Sequence, residues 1–300
     1  MTGTCGKVTL CGEHFVLFGA PALALPWTGG RLFLVRSAGV PDAADDDRLE
    51  AAWNRAREAA GLAAGRGFPF EVRSTIPRGA GLGSSAALSV ELVRAAFAEA
   101  GRDVTAAALI RAATEVEAVF HGRSSGLDPA AALLGRPVLR EASGDLRPVS
   151  WRLESFDLLL ALAPGARRTD EAVARSRAFA VGHPDRFAAL LEEAAGLVRE
   201  VATLLSGGTG PGAAARLGAR LTRNHAMLVE IGVSTPGLDG LVAAARSAGA
   251  LGAKLCGAGL GGVVLAAVPP GTADGVGRAL EAAGAHRVLP FPLPVAEASP

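Results

Sequence analysis

Residues 76–87 read Ile-Pro-Arg-Gly-Ala-Gly-Leu-Gly-Ser-Ser-Ala-Ala, and the reading of this stretch decides the fold. Gly79, Gly81 and Gly83 alternate with other residues, then Ser84 and Ser85 lead into the helix formers Ala86, Ala87 and Leu88. Glycine permits φ > 0 and lets a ligand come close to the backbone. A helix that starts where the glycines stop turns unpaired N–H groups and the positive end of its dipole toward such a ligand, which suits a phosphate. Two readings of the residues stand: a phosphate cradle, or a glycine-rich turn with Ser84 or Ser85 as an N-cap. No Lys-Ser/Thr pair follows the last glycine, so the loop is not of the Walker type.

The 300 residues suggest about two domains, and with half of them hydrophobic there is material for a core in each. A formal net charge of +1 gives no basic surface for nucleic acid. Tyrosine is absent and aromatic residues make up 5%, which argues against a base-stacking platform. Cys5, Cys11 and Cys256 form no CxxC spacing and read as free thiols in a reducing cytoplasm. The N-terminus has no basic segment followed by a long apolar run, and no apolar stretch reaches the roughly 20 residues that span a bilayer. The expectation is a cytoplasmic protein without a nucleic-acid or membrane partner.

Along the chain, residues 7–25 are β-prone with a polar interruption at Gly12-Glu13-His14, which predicts two strands joined by a turn, with a further strand at 31–36. The acidic run 42–47 reads as a solvated loop, residues 49–64 have helical spacing, and 68–74 alternate as a strand. Helices are predicted from about 84 to 100 and from Thr105, a plausible cap, to about 120. A polar turn and a short helical piece follow, then strands near Val138 and Val149. The second half opens with a strand at 158–163 and continues with four helical segments up to 248. It closes strand, glycine turn, strand, helix, strand, the order of a small ferredoxin-like domain. The pattern argues α+β rather than a doubly wound sheet, with a domain boundary near 150–165.

Three further features could carry chemistry. Gly257, Gly259, Gly261 and Gly262 match G-x-G-x-x-G on paper, but the β-prone run 263–268 follows where a dinucleotide site needs a helix. A tight glycine hairpin is the simpler account, and a segment lying close to a ligand held by the first loop is the alternative. Glu117 and Asp128 could be surface acids, or could hold Mg²⁺ and accept a proton. Lys7, between Gly6 and Val8, is an edge-strand residue or a charge aimed at a phosphate. The five histidines show no metal spacing, and no G-x-S-x-G elbow supports a hydrolase.

Three segments in order, GKVTLCGEHFVLFG (6–19), PRGAGLGSSAA (77–87) and KLCGAGLGG (254–262), resemble the three motifs of the galactokinase, homoserine kinase, mevalonate kinase and phosphomevalonate kinase (GHMP) superfamily. Within it the chain is most similar to the mevalonate kinase branch. The run HGRSSGLD (121–128) resembles that branch's H-G-x-x-S-G-x-D, and Asn224-His225 followed by Gly232-Val233-Ser234 resembles a helix and turn found there.

The resemblance implies a two-domain GHMP kinase fold. It pairs an N-terminal ribosomal protein S5 domain 2-like, ATP-binding domain over residues 1–155 with a C-terminal ferredoxin-like domain over 156–300, the active site lying in the cleft between them. It further implies ATP and Mg²⁺ as cofactors, mevalonate as the small-molecule substrate, and a homodimer, the state relatives commonly adopt. By the same resemblance Gly79, Ala80, Gly81, Leu82, Gly83, Ser84 and Ser85 would wrap the ATP phosphates, with Ser74 near the nucleotide and Gly257, Ala258 and Gly259 supporting it. Ser85 and Glu117 would hold Mg²⁺. Asp128 would meet the substrate hydroxyl as proton acceptor or orienting charge, and Lys7 would reach the same place. Glu13 and His14 would lie at the mevalonate site, and Arg167 with Thr169 would form a looser substrate-binding segment.

The rivals are a phosphomevalonate kinase or another GHMP small-molecule kinase, and, from a different class, a nucleotide- or metabolite-binding protein without catalysis. Lys7, Ser85, Glu117 and Asp128 together argue against the last, because a pure binder needs no carboxylate at the transfer point. Lys7 and the Gly-Glu-His segment argue against a diphosphomevalonate decarboxylase.

Overall fold

In this computed structural model, which describes residues 3–37, 47–65, 67–154, 156–165, 168–207 and 212–293, the helix that follows the glycine-rich loop runs through a core. That helix, α2 (Ser84–Glu99), buries Ala86, Ala87, Leu88, Val90, Leu92, Val93, Ala96 and Phe97, so it is covered on nearly every face. Its coverings are α1 (Asp47–Ala59), α3 (Ala106–His121) and α4 (Leu127–Leu134). Thr105 caps α3 by accepting the Ala108 N–H at 3.3 Å, as its place before an apolar run predicts. Trp53 of α1 packs edge-on against Phe70 with ring centroids 4.9 Å apart.

Packing divides the chain into two compact units, neither continuous in sequence. The first comprises the described residues through Lys7, then Pro26–Pro77 and Leu82–Gly135; the second comprises Val8–Leu25, Arg78–Gly81 and the described residues from Arg136 on. Ser155, at the expected domain boundary, lies outside the described residues, as do most of the acidic run and residues 208–211.

One five-stranded sheet has the order β1 (Thr4–Cys11), β2 (Ala22–Arg36), β4 (Val138–Arg140), β5 (Leu146–Pro148), with β3 (Phe70–Ser74) also on β2. Strand β3 pairs antiparallel with the end of β2, Leu32 opposite Ser74 and Arg36 opposite Phe70. Strand β4 pairs with its start, Ala22 opposite Arg140.

Here the structure corrects the sequence reading twice. Residues 15–18, expected in a strand, form a 3₁₀ turn, and β2 runs unbroken from Ala22 to Arg36 where two strands were expected. Gly29 and Gly30 do not turn the chain. They make room for an indole: a Cβ on either would come within 2.8 Å of the Trp27 ring.

The second sheet is antiparallel, in the order β7 (Gly252–Cys256), β8 (Val263–Val268), β6 (Asp157–Leu162), β9 (Arg287–Phe291). Numbered within this sheet, that is the 2-3-1-4 order of a ferredoxin-like domain. Between β6 and β7 come α5 (Thr169–Gly182), α6 (Pro184–Gly207), α7 (Ala213–Glu230) and α8 (Pro236–Ser247), and α9 (Ala273–Ala282) joins β8 to β9. All six residues of β8 are buried, which accounts for its unbroken apolar run.

Helix α7 reaches β7 through glycine. A Cβ on Gly252 would stand 1.8 Å from the Gly218 carbonyl oxygen, and one on Gly218 would stand 2.3 Å from the Leu251 oxygen. Exposed Gly240 in α8 meets nothing within 4 Å. Gly252→Ala should therefore destabilise the protein by about 2 kcal/mol or more in urea unfolding, whereas Gly240→Ala should stabilise it by roughly 0.5–1 kcal/mol. Equal effects of the two changes would contradict the close α7–β7 packing.

Candidate active site

Strand β1 is buried at all eight positions and carries one charged side chain, Lys7. Its Nζ pairs with Asp128 Oδ2 at 2.5 Å; the Lys7 side chain is 7% exposed and that of Asp128 33%. The Lys7 backbone N–H donates to the Leu82 carbonyl at 2.9 Å, fixing strand to loop. Gly83 then has two reasons to be glycine. Its φ is +78°, and a Cβ there would lie 2.6 Å from Lys7 Cγ. The lysine stem runs in the space that this glycine leaves.

Gly83 is also the N-cap of α2, and no side chain caps the helix. The expected alternative, a turn capped by Ser84 or Ser85, is not what forms: both serines lie inside the helix. The first backbone N–H groups of α2 thus remain available to an anion. Ser85 instead turns its hydroxyl to His121, whose Nε2 lies 2.9 Å away.

His121 is one helical turn beyond Glu117 on α3, so both lie on one face. Glu117 is 4% exposed and accepts the Ser124 hydroxyl at 2.5 Å. Burial, and then the neighbouring Asp128 charge, push its carboxyl up to about 8, against the opposing pull of Ser124, Lys7 and Ser85. Asp128 stands in the first turn of α4, behind Gly126 at φ +77°, where the helix dipole favours an anion. Lys7, Ser85, Glu117 and Asp128, far apart in sequence, are thus gathered in the first unit, with His121 and Ser124 added by the structure.

Among the described residues no group of three or more His, Cys, Asp or Glu forms a metal cluster. A buried carboxylate disfavoured as an anion, a hydroxyl and a second carboxylate are hard oxygen donors short of a full shell. That fits Mg²⁺, which keeps waters and phosphate oxygens for the rest.

In the second unit Glu13 is buried against Lys254, which is 0% exposed, and His14 Nε2 lies 2.7 Å from the Ala258 carbonyl oxygen. Asn224 Oδ1 accepts the Gly12 N–H at 3.4 Å. Sequence reasoning gave Lys254 no role. Its signal was available: a lone lysine in an apolar strand, matched by a lone glutamate after β1.

The second glycine segment is the hairpin between β7 and β8, with Cys256 opposite Val263. It packs on the Gly232-Val233-Ser234 turn, since Leu260 N–H donates to the Val233 oxygen at 2.9 Å and a Cβ on Gly259 would stand 2.1 Å from that oxygen. Gly79 and Ala80 line a cavity of about 360 Å³ with Arg78, Pro164, Gly165 and Gly262, so a ligand there touches both glycine-rich segments.

Ser74 spends its hydroxyl locally, accepting the Ile76 N–H at 3.0 Å. Thr169 opens α5, and Arg167 lies outside the described residues.

A raised acid has a definite sign in stability. Glu117 holds its proton in the folded protein at pH values where the unfolded chain has lost it, so its contribution falls as pH rises from about 5 through 8. In metal-free buffer, the stability of Glu117→Gln relative to wild type should rise by more than about 1 kcal/mol between pH 5 and pH 8 in paired urea titrations. Parallel pH profiles would contradict the buried, cation-poor setting of Glu117.

Family models for the GHMP kinases N terminal domain and the GHMP kinases C terminal region match residues 47–136 and 204–286. A mevalonate kinase of Thermococcus sibiricus is 30% identical over 94% of this chain and 93% of its own length. One from Aeropyrum pernix is 34% identical over 97% and 94%. Among solved structures, L. major mevalonate kinase in complex with R-mevalonate has a TM-score of 0.78 at 24% identity, covering 99% of this chain and 96% of its own, a likeness of fold. With a two-domain α+β fold of the same kind, and full-length relatives at this level of identity, the chain belongs to the GHMP kinase family.

Proposed function

We propose that this kinase transfers the γ-phosphoryl group of ATP to the 5-hydroxyl of mevalonate, giving 5-phosphomevalonate and ADP for isoprenoid synthesis. The observation that carries the reading is the Lys7–Asp128 pair, in which the lysine is buried and the carboxylate keeps an open side. The archaeal relatives named mevalonate kinase support the substrate.

In this reading residues 1–155 form the nucleotide-binding half and 156–300 the ferredoxin-like half, and the enzyme works in the cytoplasm as a homodimer. Gly79 to Ser85, with Gly257 to Gly259, would cradle the ATP phosphates, the uncapped start of α2 offering its N–H groups to their oxygens. Ser74 would lie on the nucleotide side. Glu13, His14, Arg167 and Thr169 would bind mevalonate.

Asp128 would accept the hydroxyl proton as the alcohol oxygen bonds to the γ-phosphorus and the bond from that phosphorus to the ADP oxygen breaks. Lys7 would keep positive charge beside Asp128 and the transferred group. Phosphoryl transfer asks mainly for positioning and charge neutralisation, which is what a lysine, a glycine loop and a helix N-terminus supply. Ser85 and Glu117 would hold Mg²⁺, which when bound neutralises phosphate charge.

A coupled ADP-release assay over mevalonate, phosphomevalonate, homoserine and galactose tests the reading. Mevalonate should give the highest kcat/KM, and EDTA should abolish turnover until Mg²⁺ is restored. Turnover of another alcohol with none of mevalonate would overturn the substrate, and full turnover in EDTA would overturn the metal.

A further inference from the structure

The Gly12–His14 turn and the helix beside it carry buried polar atoms that find no protein partner among the described residues. They are Glu13 Oε2, His14 Nδ1 and Asn224 Nδ2. Such atoms are costly when left unpaired, so three around one turn point to a bound group that completes them. The turn is also strained: His14 has φ 59° and ψ −47°, a conformation that a side chain rarely adopts. Strain of this kind persists only where surrounding contacts over-determine it.

Three tethers do so, each from a residue more than 200 positions later in the chain. The Gly12 N–H donates to Asn224 Oδ1, Lys254 Nζ pairs with Glu13 Oε1, and His14 Nε2–H donates to the Ala258 oxygen. Their anchors are themselves joined. His225, next to Asn224 on α7, accepts the Leu255 N–H at Nδ1 and faces Asp239 through Nε2 at 3.2 Å, so α7 is bonded to β7 beside Lys254.

The His14 tautomer follows from this geometry. A carbonyl oxygen only accepts, so the ring proton is on Nε2 and Nδ1 is a bare acceptor. Burial holds the imidazole below its ordinary pKa and keeps it neutral. Lys254, for its part, is enclosed and committed to Glu13, so its charge cancels that carboxylate and leaves the turn without net repulsion toward an acidic ligand.

We propose that Asn224 and Lys254 are positioning residues that hold His14 in its strained conformation and single tautomer, so that Nδ1 accepts a hydrogen bond from a hydroxyl of the phosphoryl acceptor. The proposal rests on the reading of the protein as a kinase for a small alcohol. The site so built reads an O–H donor, and it discriminates against an analogue that lacks it because the buried Nδ1 would then stay unpaired.

Two readouts test it, one of them independent of any substrate. In ¹⁵N-histidine NMR of the free protein, His14, assigned by loss of its signal in His14→Gln, should show the neutral Nε2–H form. Asn224→Ala and Lys254→Met should each move it toward a tautomer mixture. In steady-state assays both variants should raise the KM for the alcohol by about tenfold or more while the KM for ATP stays within about twofold, and Asn224→Asp, which keeps the acceptor for the Gly12 N–H, should recover most of the loss.

The kinetics are run with mevalonate, or with whichever alcohol the wild type phosphorylates, so a wrong substrate fails separately from the positioning role. Should Lys254→Met not fold, Asn224→Ala carries the test. An Asn224→Ala protein that keeps the His14 tautomer and the alcohol KM, and loses only thermal stability, overturns the proposal.

Discussion

Two carboxylates share one enclosed ammonium in the first unit, and the local structure around Lys7 answers that constraint. Lys7 can reach Asp128 only because β1 is buried along its length and because Gly83 leaves the lysine stem its path. Gly83 in turn starts α2 without a side-chain cap, leaving the helix's first N–H groups for an anion. For Glu117, burial and the Asp128 charge outweigh the pull of Ser124, Lys7 and Ser85, and its carboxyl pKa is raised. In the proposed reading, a divalent cation with phosphate oxygens in its shell would relieve this electrostatic state.

The second unit meets a different constraint, geometric rather than electrostatic. A turn with a positive φ at histidine is unstable by itself, and it is held by side chains and a carbonyl from α7, β7 and the β7–β8 hairpin. The glycine-on-glycine contact of Gly218 with Gly252 brings α7 against β7, which sets Asn224 and Lys254 in place together. Packing of small residues and placement of the polar turn are therefore one design.

Much of this was legible in the residues. The α2 loop, Thr105 as a cap, the β7–β8 hairpin and the closing ferredoxin-like order follow from glycine, capping and periodicity, all of which act locally. The partners of Lys7 and Glu13 are 121 and 241 positions away, and no local rule reaches them. The spacing of Glu117 and His121 was a missed local signal, since residues four apart share a helix face. The 3₁₀ turn at residues 15–18 lies in a β-prone run, and β2 continues through Gly29 and Gly30 because they make room for the Trp27 ring, a tertiary contact that local pattern does not show.

The central claim is that Asp128 serves phosphoryl transfer and not nucleotide binding. It is tested most directly by Asp128→Asn, whose side chain keeps its size but loses its charge. The account predicts that calorimetric ATP–Mg²⁺ affinity stays within about threefold of wild type while the single-turnover transfer rate falls by about 100-fold or more. Wild-type transfer from this variant, or loss of ATP binding in step with activity, would contradict it.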